Sequence, residues 1–215
     1  MRLVGFVPLL LLLPGVAGAV TLGQIDTFEN GTTLGWSEGA SSPNPPANIS
    51  DGGPGGTGDN YLRNQSSGTG LAGSRMIQFN TAQWTGNYVA AGIDRIRISF
   101  KVEGSQALPM RLAFQGGSLS TRFATTEVRM IPADQTWHTV DFNLGSLTRI
   151  SGSESVNDVL SDVQMLRILA ATNAAWEGDI VAAALCVDDI EARHIEAPVL
   201  PTTWGGLKHR YSPHP

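Results

Sequence analysis

The stretch Arg95-Ile96-Arg97-Ile98-Ser99-Phe100-Lys101-Val102 decides the fold class. Its apolar residues fall on every second position. In an extended strand successive side chains point to opposite faces. Ile96, Ile98, Phe100 and Val102 therefore form one buried face, and Arg95, Arg97 and Lys101 one wet face. A strand that is dry on one side and wet on the other belongs in an antiparallel sheet. Met110, Leu112 and Phe114 repeat the pattern against Arg111, Ala113 and Gln115. Val140, Phe142 and Leu144 repeat it against Thr139, Asp141 and Asn143.

Outward from these three, strands are predicted at 23–28, 60–64, 75–79, 125–131, 164–169 and 182–192. About nine short strands separated by turn residues predict an all-β chain, folded as a two-sheet antiparallel sandwich. Helical spacing is confined to one turn at 155–161, with Ser155 or Asn157 as its cap. The segment 37–58 is dense in Gly, Pro, Ser and Asn and is predicted to hold no regular structure. Loops of that length are commonly functional or pinned by an ion.

The two ends read differently. MRLVGFVPLLLLLPGVAGA has one charge, Arg2, then an apolar run, then the small residues Ala17-Gly18-Ala19. Those are the parts of a secretory signal peptide cleaved after Ala19. The apolar run is far short of the roughly 20 residues that span a bilayer. The division expected is 1–19 leader, 20–195 domain and 196–215 extended tail, in a protein that is secreted or displayed at the cell surface. The tail, with Trp204, Lys208, His209, Arg210 and Tyr211, is either disordered or a short attachment signal. After cleavage no transmembrane segment is expected, and the domain is expected to be a monomer.

The formal net charge is −5, and loss of Arg2 with the leader makes it −6. No basic block is present, which argues against a nucleic-acid partner. Cys186 is the sole cysteine, so no intrachain disulfide can form. Its place in the apolar run 180–187 predicts a buried, inert thiol.

Three segments carry a resemblance to the galactose-binding-like jelly roll, the scaffold of many carbohydrate-binding modules. They are Asp26-Thr27-Phe28-Glu29-Asn30-Gly31 with Gly35-Trp36, then Thr136-Trp137-His138-Thr139-Val140-Asp141-Phe142, then Leu185-Cys186-Val187-Asp188-Asp189-Ile190. The resemblance spans roughly residues 23–193 and implies a jelly-roll sandwich. The loop Asp51-Gly52-Gly53-Pro54-Gly55-Gly56-Thr57-Gly58-Asp59-Asn60-Tyr61 is also similar to loops of uncharacterised exported bacterial proteins.

Many members of this family hold a structural calcium near the first and last strands. The resemblance implies Glu29 and Asp188 as ligands, with Asp59 and Asp51 adding oxygens from the loop. Calcium takes six to eight oxygens from carboxylates and carbonyls in flexible geometry. The other reading of Asp51 and Asp59 is Asx turns on nearby amides. Asp189 competes with Asp188, because only one of the two can face inward on a regular strand.

By the same resemblance Trp36 and Trp137 occupy core positions. Trp84 and Tyr88, in Ala82-Gln83-Trp84-Thr85-Gly86-Asn87-Tyr88, and Trp176, in Asn173-Ala174-Ala175-Trp176-Glu177-Gly178, are the candidates for stacking on sugar rings. Packing over the end of the sandwich is the alternative for these three. The face with Arg95, Arg97 and Arg111 is read as a solvated face or a binding face.

No His-x-x-x-His or Cys-x-x-Cys spacing exists, so catalytic zinc is not expected. Glycoside hydrolysis needs two carboxylates across one cleft. Asp188-Asp189-Ile190-Glu191 is only superficially similar to the glucanase set, with the order wrong. The chain is thus expected to be a non-catalytic module that binds a polysaccharide or cell-surface glycan. The alternatives are a structural or adhesive surface protein, and a jelly-roll polysaccharide lyase or hydrolase.

Overall fold

The computed structural model describes residues 19–39 and 42–195. Residues 1–18, 40, 41 and 196–215, and with them most of the expected leader and all of the expected tail, lie outside them. The elements in chain order are β1 (Ile25–Asp26), β2 (Ala47–Ile49), β3 (Tyr61–Ser67), β4 (Ile77–Asn80), β5 (Arg95–Glu103), β6 (Leu108–Gly116) and β7 (Thr121–Thr125). There follow β8 (Arg129–Ile131), β9 (His138–Asn143), β10 (Leu147–Ser151), α1 (Val156–Ser161), β11 (Val163–Ala170) and β12 (Ala182–Arg193).

They form two antiparallel sheets. The first has the order β2-β3-β12-β5-β9, with β1 also paired to β12. The second has the order β10-β7-β6-β11-β4, with β8 also paired to β6. The all-β two-sheet sandwich expected from the alternating patterns is what the chain forms, and it is the jelly roll that the resemblance implies. Ile96, Ile98, Phe100 and Val102 from the first sheet meet Met110, Leu112, Phe114, Leu166 and Ile168 from the second in one core.

The strand count is twelve rather than about nine. The added strands are short or carry no clean alternation. β2 lies inside the segment expected to be irregular, and pairs with β3 through Ala47↔Arg63 and Ile49↔Tyr61. The strand expected at 125–131 is two, β7 and β8, separated by a turn. β10 has a mixed pattern, Leu147-Thr148-Arg149-Ile150-Ser151, and bulges where it pairs with β7. Pairing, not side-chain period, makes these segments extended.

The helical turn closes as expected, with Ser155 as its cap. Ser155 Oγ accepts from Asp158 N at 3.2 Å, while Asp158 Oδ2 accepts from Ser155 N at 3.0 Å. That reciprocal pair satisfies two otherwise orphaned amides.

Candidate functional site

Two of the three aromatics expected to stack on sugar do something else. Trp84 and Tyr88 are 0% exposed. Trp84 Nε1 and Trp36 Nε1 both donate to Asp26 Oδ2, at 2.7 and 2.8 Å. Tyr88 Oη donates to Trp84 O at 2.9 Å. Their segment is a loop, but the loop turns its indole inward to a buried carboxylate. Asp26 is therefore the anchor of the amino-terminal part of the core. Burial raises its pKa, and the three side-chain donors around it oppose that rise.

Trp137 departs the other way. It was expected in the core, and it is only half-buried on the outer side of the first sheet. There it packs edge-on against Tyr61, with centroids 5.5 Å apart. Lys101 Nζ stands over both rings, and Trp137 Nε1 donates to Gly52 O. Nor do Arg95, Arg97 and Arg111 share a face. Arg97 is clamped to Asp141 on the first sheet. Arg111 belongs to the second, where it is buried and donates to the carbonyls of Thr125, Thr126, Ala171 and Thr172. It ties loops together.

Trp176 is also largely covered, at 9% exposed, but in another place. It lies on the outer face of the second sheet, in a cluster with Ala113, Ala124, Leu169 and Ala171, flanked by Ile77, Ile150 and Met165. An antiparallel sheet with one face in water normally keeps its apolar residues on the other face. Here the outer face is apolar as well. Two guanidiniums lie against the one indole ring, Arg167 at 3.9 Å and Arg122 at 4.6 Å from its centroid. Arg167 donates to Trp176 O at 2.8 Å and also stands 5.8 Å from the Phe79 ring. Arg122 Nε donates to Gln115 Oε1 at 2.9 Å.

The register explains the assembly. Arg122 is opposite Gln115, and Gln115 opposite Met165. One row along, Ala124 is opposite Ala113, and Ala113 opposite Arg167. The two alanines leave the depth that the indole fills, between long polar side chains. Sequence reading found Trp176 and missed Arg122, Arg167 and Phe79. The signal was there: Arg122-x-Ala124 and Met165-x-Arg167-x-Leu169 alternate like the strands first quoted.

A second constellation lies on the first sheet. Asp188 is 1% exposed, and its Oδ2 has no hydrogen-bond partner. Its pKa is pushed up to about 8, first by burial and then by the charges of Asp189, Asp59 and Glu29. Asp189 is raised by burial and by Asp59, Glu191 and Glu29. The strand rule that only one of Asp188 and Asp189 can face a given way does not hold. A bulge interrupts the β12–β5 register between Asp188 and Glu191, and Asp189 has φ +48°. The distortion brings Asp189 Oδ2 to 3.5 Å from Ser99 Oγ, and Ser99 is the residue opposite Asp188.

The Gly-rich loop closes on this region. Glu29 Oε1 accepts from Asn60 N at 2.9 Å, and Asp59 Oδ2 accepts from Gly55 N. Gly53 and Gly55 pass so close to the Asp59 carboxylate that a Cβ on either would collide with it. Asp51 is turned to Gly58 N, 2.6 Å away. It does not figure among the charges that raise Asp188. Among the described residues, no three His, Cys, Asp or Glu side chains converge as a ready-made metal cage.

Cys186 is buried, and its thiol is pushed up to about 12, mainly by burial. Two motif spacings have no matching structure. Gly35-Trp36-Ser37-Glu38-Gly39 has the spacing of a nucleophile elbow, which is a strand-to-helix turn. Ser37 instead exchanges backbone hydrogen bonds with Phe79 and enters no helix. Gly68-Thr69-Gly70-Leu71-Ala72-Gly73 joins β3 to β4, with no helix to receive a phosphate.

The chain matches no known family profile and no curated protein sequence. Solved structures do match its fold. One is a family 11 carbohydrate-binding module from Clostridium thermocellum in complex with a β-1,3-1,4-mixed-linked tetrasaccharide. It is 17% identical, with 82% of this chain and 98% of that one covered, at TM-score 0.53. The fold is that of a carbohydrate-binding-module jelly roll. The family 11 module of a cellulosomal cellulase of the same organism matches at 16% identity and TM-score 0.50, over 83% of this chain and 99% of that one. An exo-β-agarase matches at 10% identity and TM-score 0.55, over 82% of this chain and 26% of that one. At these identities the likeness is one of fold. Among the described residues no helix is long and apolar enough to cross a membrane.

Proposed function

We propose that this domain is a secreted, non-catalytic module that binds carbohydrate on the outer face of its second sheet. The observation that carries the reading is Trp176 under two guanidiniums on a face that is otherwise apolar. Sugar rings present flat C–H faces and a rim of hydroxyls. Gln115, Arg122 and Arg167 offer planar donors beside an aromatic and aliphatic floor, which suits both parts of such a ligand. The module fold adds to the case. No strand of the second sheet contains an Asp or Glu, and the carboxylate pair of a glycoside hydrolase has no place there.

The test is residue mapping by NMR with two soluble probes, a mixed-linkage β-glucan tetrasaccharide and an oligogalacturonate. Either should shift Gln115, Arg122, Arg167 and the Trp176 indole. Shifts centred on Tyr61 and Trp137 would move the site to the other sheet. No shift with either probe, followed by failure on a broad glycan panel, would remove the reading.

We also propose that Glu29, Asp59, Asp188 and Asp189 hold a structural calcium ion. The donor set is hard oxygen, as calcium prefers, and the unpartnered buried Asp188 Oδ2 is an oxygen in want of a cation. The Gly-rich loop would carry Asp59 and further carbonyls to it. Asp51, spent on Gly58 N, is left out. A rise in melting temperature on adding calcium to chelator-treated protein tests this. An unchanged melting temperature would sink it.

A further inference from the structure

We infer that the glycan taken by the second sheet is acidic, carrying a carboxylate or a sulfate ester that Arg122 and Arg167 receive; this rests on the carbohydrate reading above. The first observation is that the strand carboxylates are confined to one sheet. The protein is acidic overall, and the strands of the first sheet mix Asp26, Glu103, Asp141, Asp188, Asp189 and Glu191 with Arg63, Arg95, Arg97, Lys101 and Arg193. The strands of the second contain no carboxylate and five arginines, Arg111, Arg122, Arg129, Arg149 and Arg167.

The second observation is how those five are used. Arg111 is spent on four carbonyls. Arg129 donates to Asp141 O and pairs with Glu127. Arg149 donates to Glu154 O. Arg122 and Arg167 have no carboxylate partner among the described residues. Arg122 uses only its Nε, leaving both terminal nitrogens free, and Arg167 leaves its Nη2 free.

The third observation is that two cations share one indole. Arg167 is partly buried, and its pKa is lowered to about 10, first by that burial and then by the charge of Arg122. The charge that opposes this lowering is that of Glu177, which is exposed and bridged to Arg75. Like charges held together at a partly dry surface are relieved by an anion, and a guanidinium fork fits a carboxylate or sulfate with two parallel hydrogen bonds. The free amide group of Gln115 lies in the same row and can donate alongside. Phe79, half-buried, then remains for an apolar ring face of the sugar, while Trp176, 9% exposed, backs the two guanidiniums.

Affinity electrophoresis and calorimetry on the full chain test the inference, with three probes: polygalacturonate, dextran sulfate and neutral mixed-linkage β-glucan. Wild type should bind at least one acidic probe, more weakly at 500 than at 50 mM NaCl. Arg122→Gln should weaken that binding at least about tenfold, as loss of a charge-assisted fork does. Arg122→Lys should recover part of it, because charge is restored without the fork. Arg193→Gln removes one charge from the first sheet and should change binding less than twofold. Preference for polygalacturonate assigns the carboxylate, and preference for dextran sulfate the sulfate ester. Equal weakening by Arg122→Gln and Arg193→Gln would overturn the inference, since the attraction would then be diffuse. Binding of neutral β-glucan untouched by Arg122→Gln would overturn it while leaving the carbohydrate reading in place. Binding of no glycan would overturn both. Arg122→Gln gives up the Nε bond to Gln115 and the contact with Trp176 but relieves the repulsion on Arg167, so its melting temperature should stay within a few degrees of wild type.

Discussion

Replace Asp188 by Asn, remove divalent cations, and the melting temperature at pH 7 should rise. Removing a buried carboxylate usually destabilises, because its partners are stranded. Asp188 is the opposite case. One oxygen accepts from Asp189 N, the other has no partner, and the charges around it are negative. Its folded pKa of about 8 stands above the ordinary 3.8. The folded state thus holds a proton that the unfolded chain releases. That contribution to stability is intact below pH 3.8 and is lost as pH rises toward 8. At 1.36 kcal/mol per unit, the span from 3.8 to pH 7 sets a ceiling of about 4 kcal/mol. An Asn amide in the same place leaves one group without a partner, costing about 1–3 kcal/mol. The net gain is about 2 kcal/mol, or roughly 4–8 °C for a domain of this size. The assay is calorimetry in chelator from pH 5 to 8. Wild type should lose stability across the range, and the variant should change far less. Adding calcium should reverse the order. At about 10 mM calcium and a Kd near ~10⁻⁴ M, wild type gains about 2.7 kcal/mol, and the variant gains little. A variant that melts below wild type in chelator at pH 7, or that keeps the full calcium response, would refute the reasoning.

Other perturbations separate core from site. Trp84→Phe removes a donor from the buried Asp26 Oδ2, and chemical denaturation should show a loss of about 1–3 kcal/mol with glycan binding unchanged; lost binding at full stability would return Trp84 to the site. Arg111→Met strands four carbonyl oxygens and should lower stability by about 3 kcal/mol, seen as a drop in melting temperature. The Cys186 thiol, buried and pushed up to about 12, should resist a disulfide reagent at pH 8 until the protein unfolds. Labelling of the native state within minutes would contradict that burial.

Most of the fold was legible because β5, β6 and β9 obey a period of two against one core. Residues such as Ile98 and Leu112 face inward for the reason their spacing states. β2, β8 and β10 were not legible as they stand, because three-residue strands leave no period to read and the five residues of β10 have a mixed one. The aromatics failed for a related reason. Trp84 does sit in a loop, but a loop position does not fix a side chain's direction when a buried acceptor is in reach. Asp26, on β1 and 58 residues from Trp84 in sequence, supplies that acceptor. Asp189 was excluded from company with Asp188 by the rule of alternation, and a bulge suspends that rule where the backbone takes a positive φ.

The candidate face was hidden by the same arithmetic that revealed the core. Arg122, Ala124, Met165 and Arg167 each alternate correctly, and alternation alone assigns such residues to water. What marks them is the row they form across β7, β6 and β11, and rows appear only with strand order and register. Once that order is known, charge becomes informative. An acidic chain has kept every carboxylate out of the strands of one sheet and has placed two guanidiniums there on a single indole. Stability alone does not call for this, since one paired arginine would cover Trp176 without the repulsion of a second. The carboxylates crowded around Asp188 present the converse, negative charge gathered where a cation would relieve it. Each sheet thus carries one cluster of like charge, carboxylates around Asp188 on the first and guanidiniums on Trp176 on the second. The chelator and calcium series on Asp188, and the acidic and neutral probes on Arg122, question the two separately.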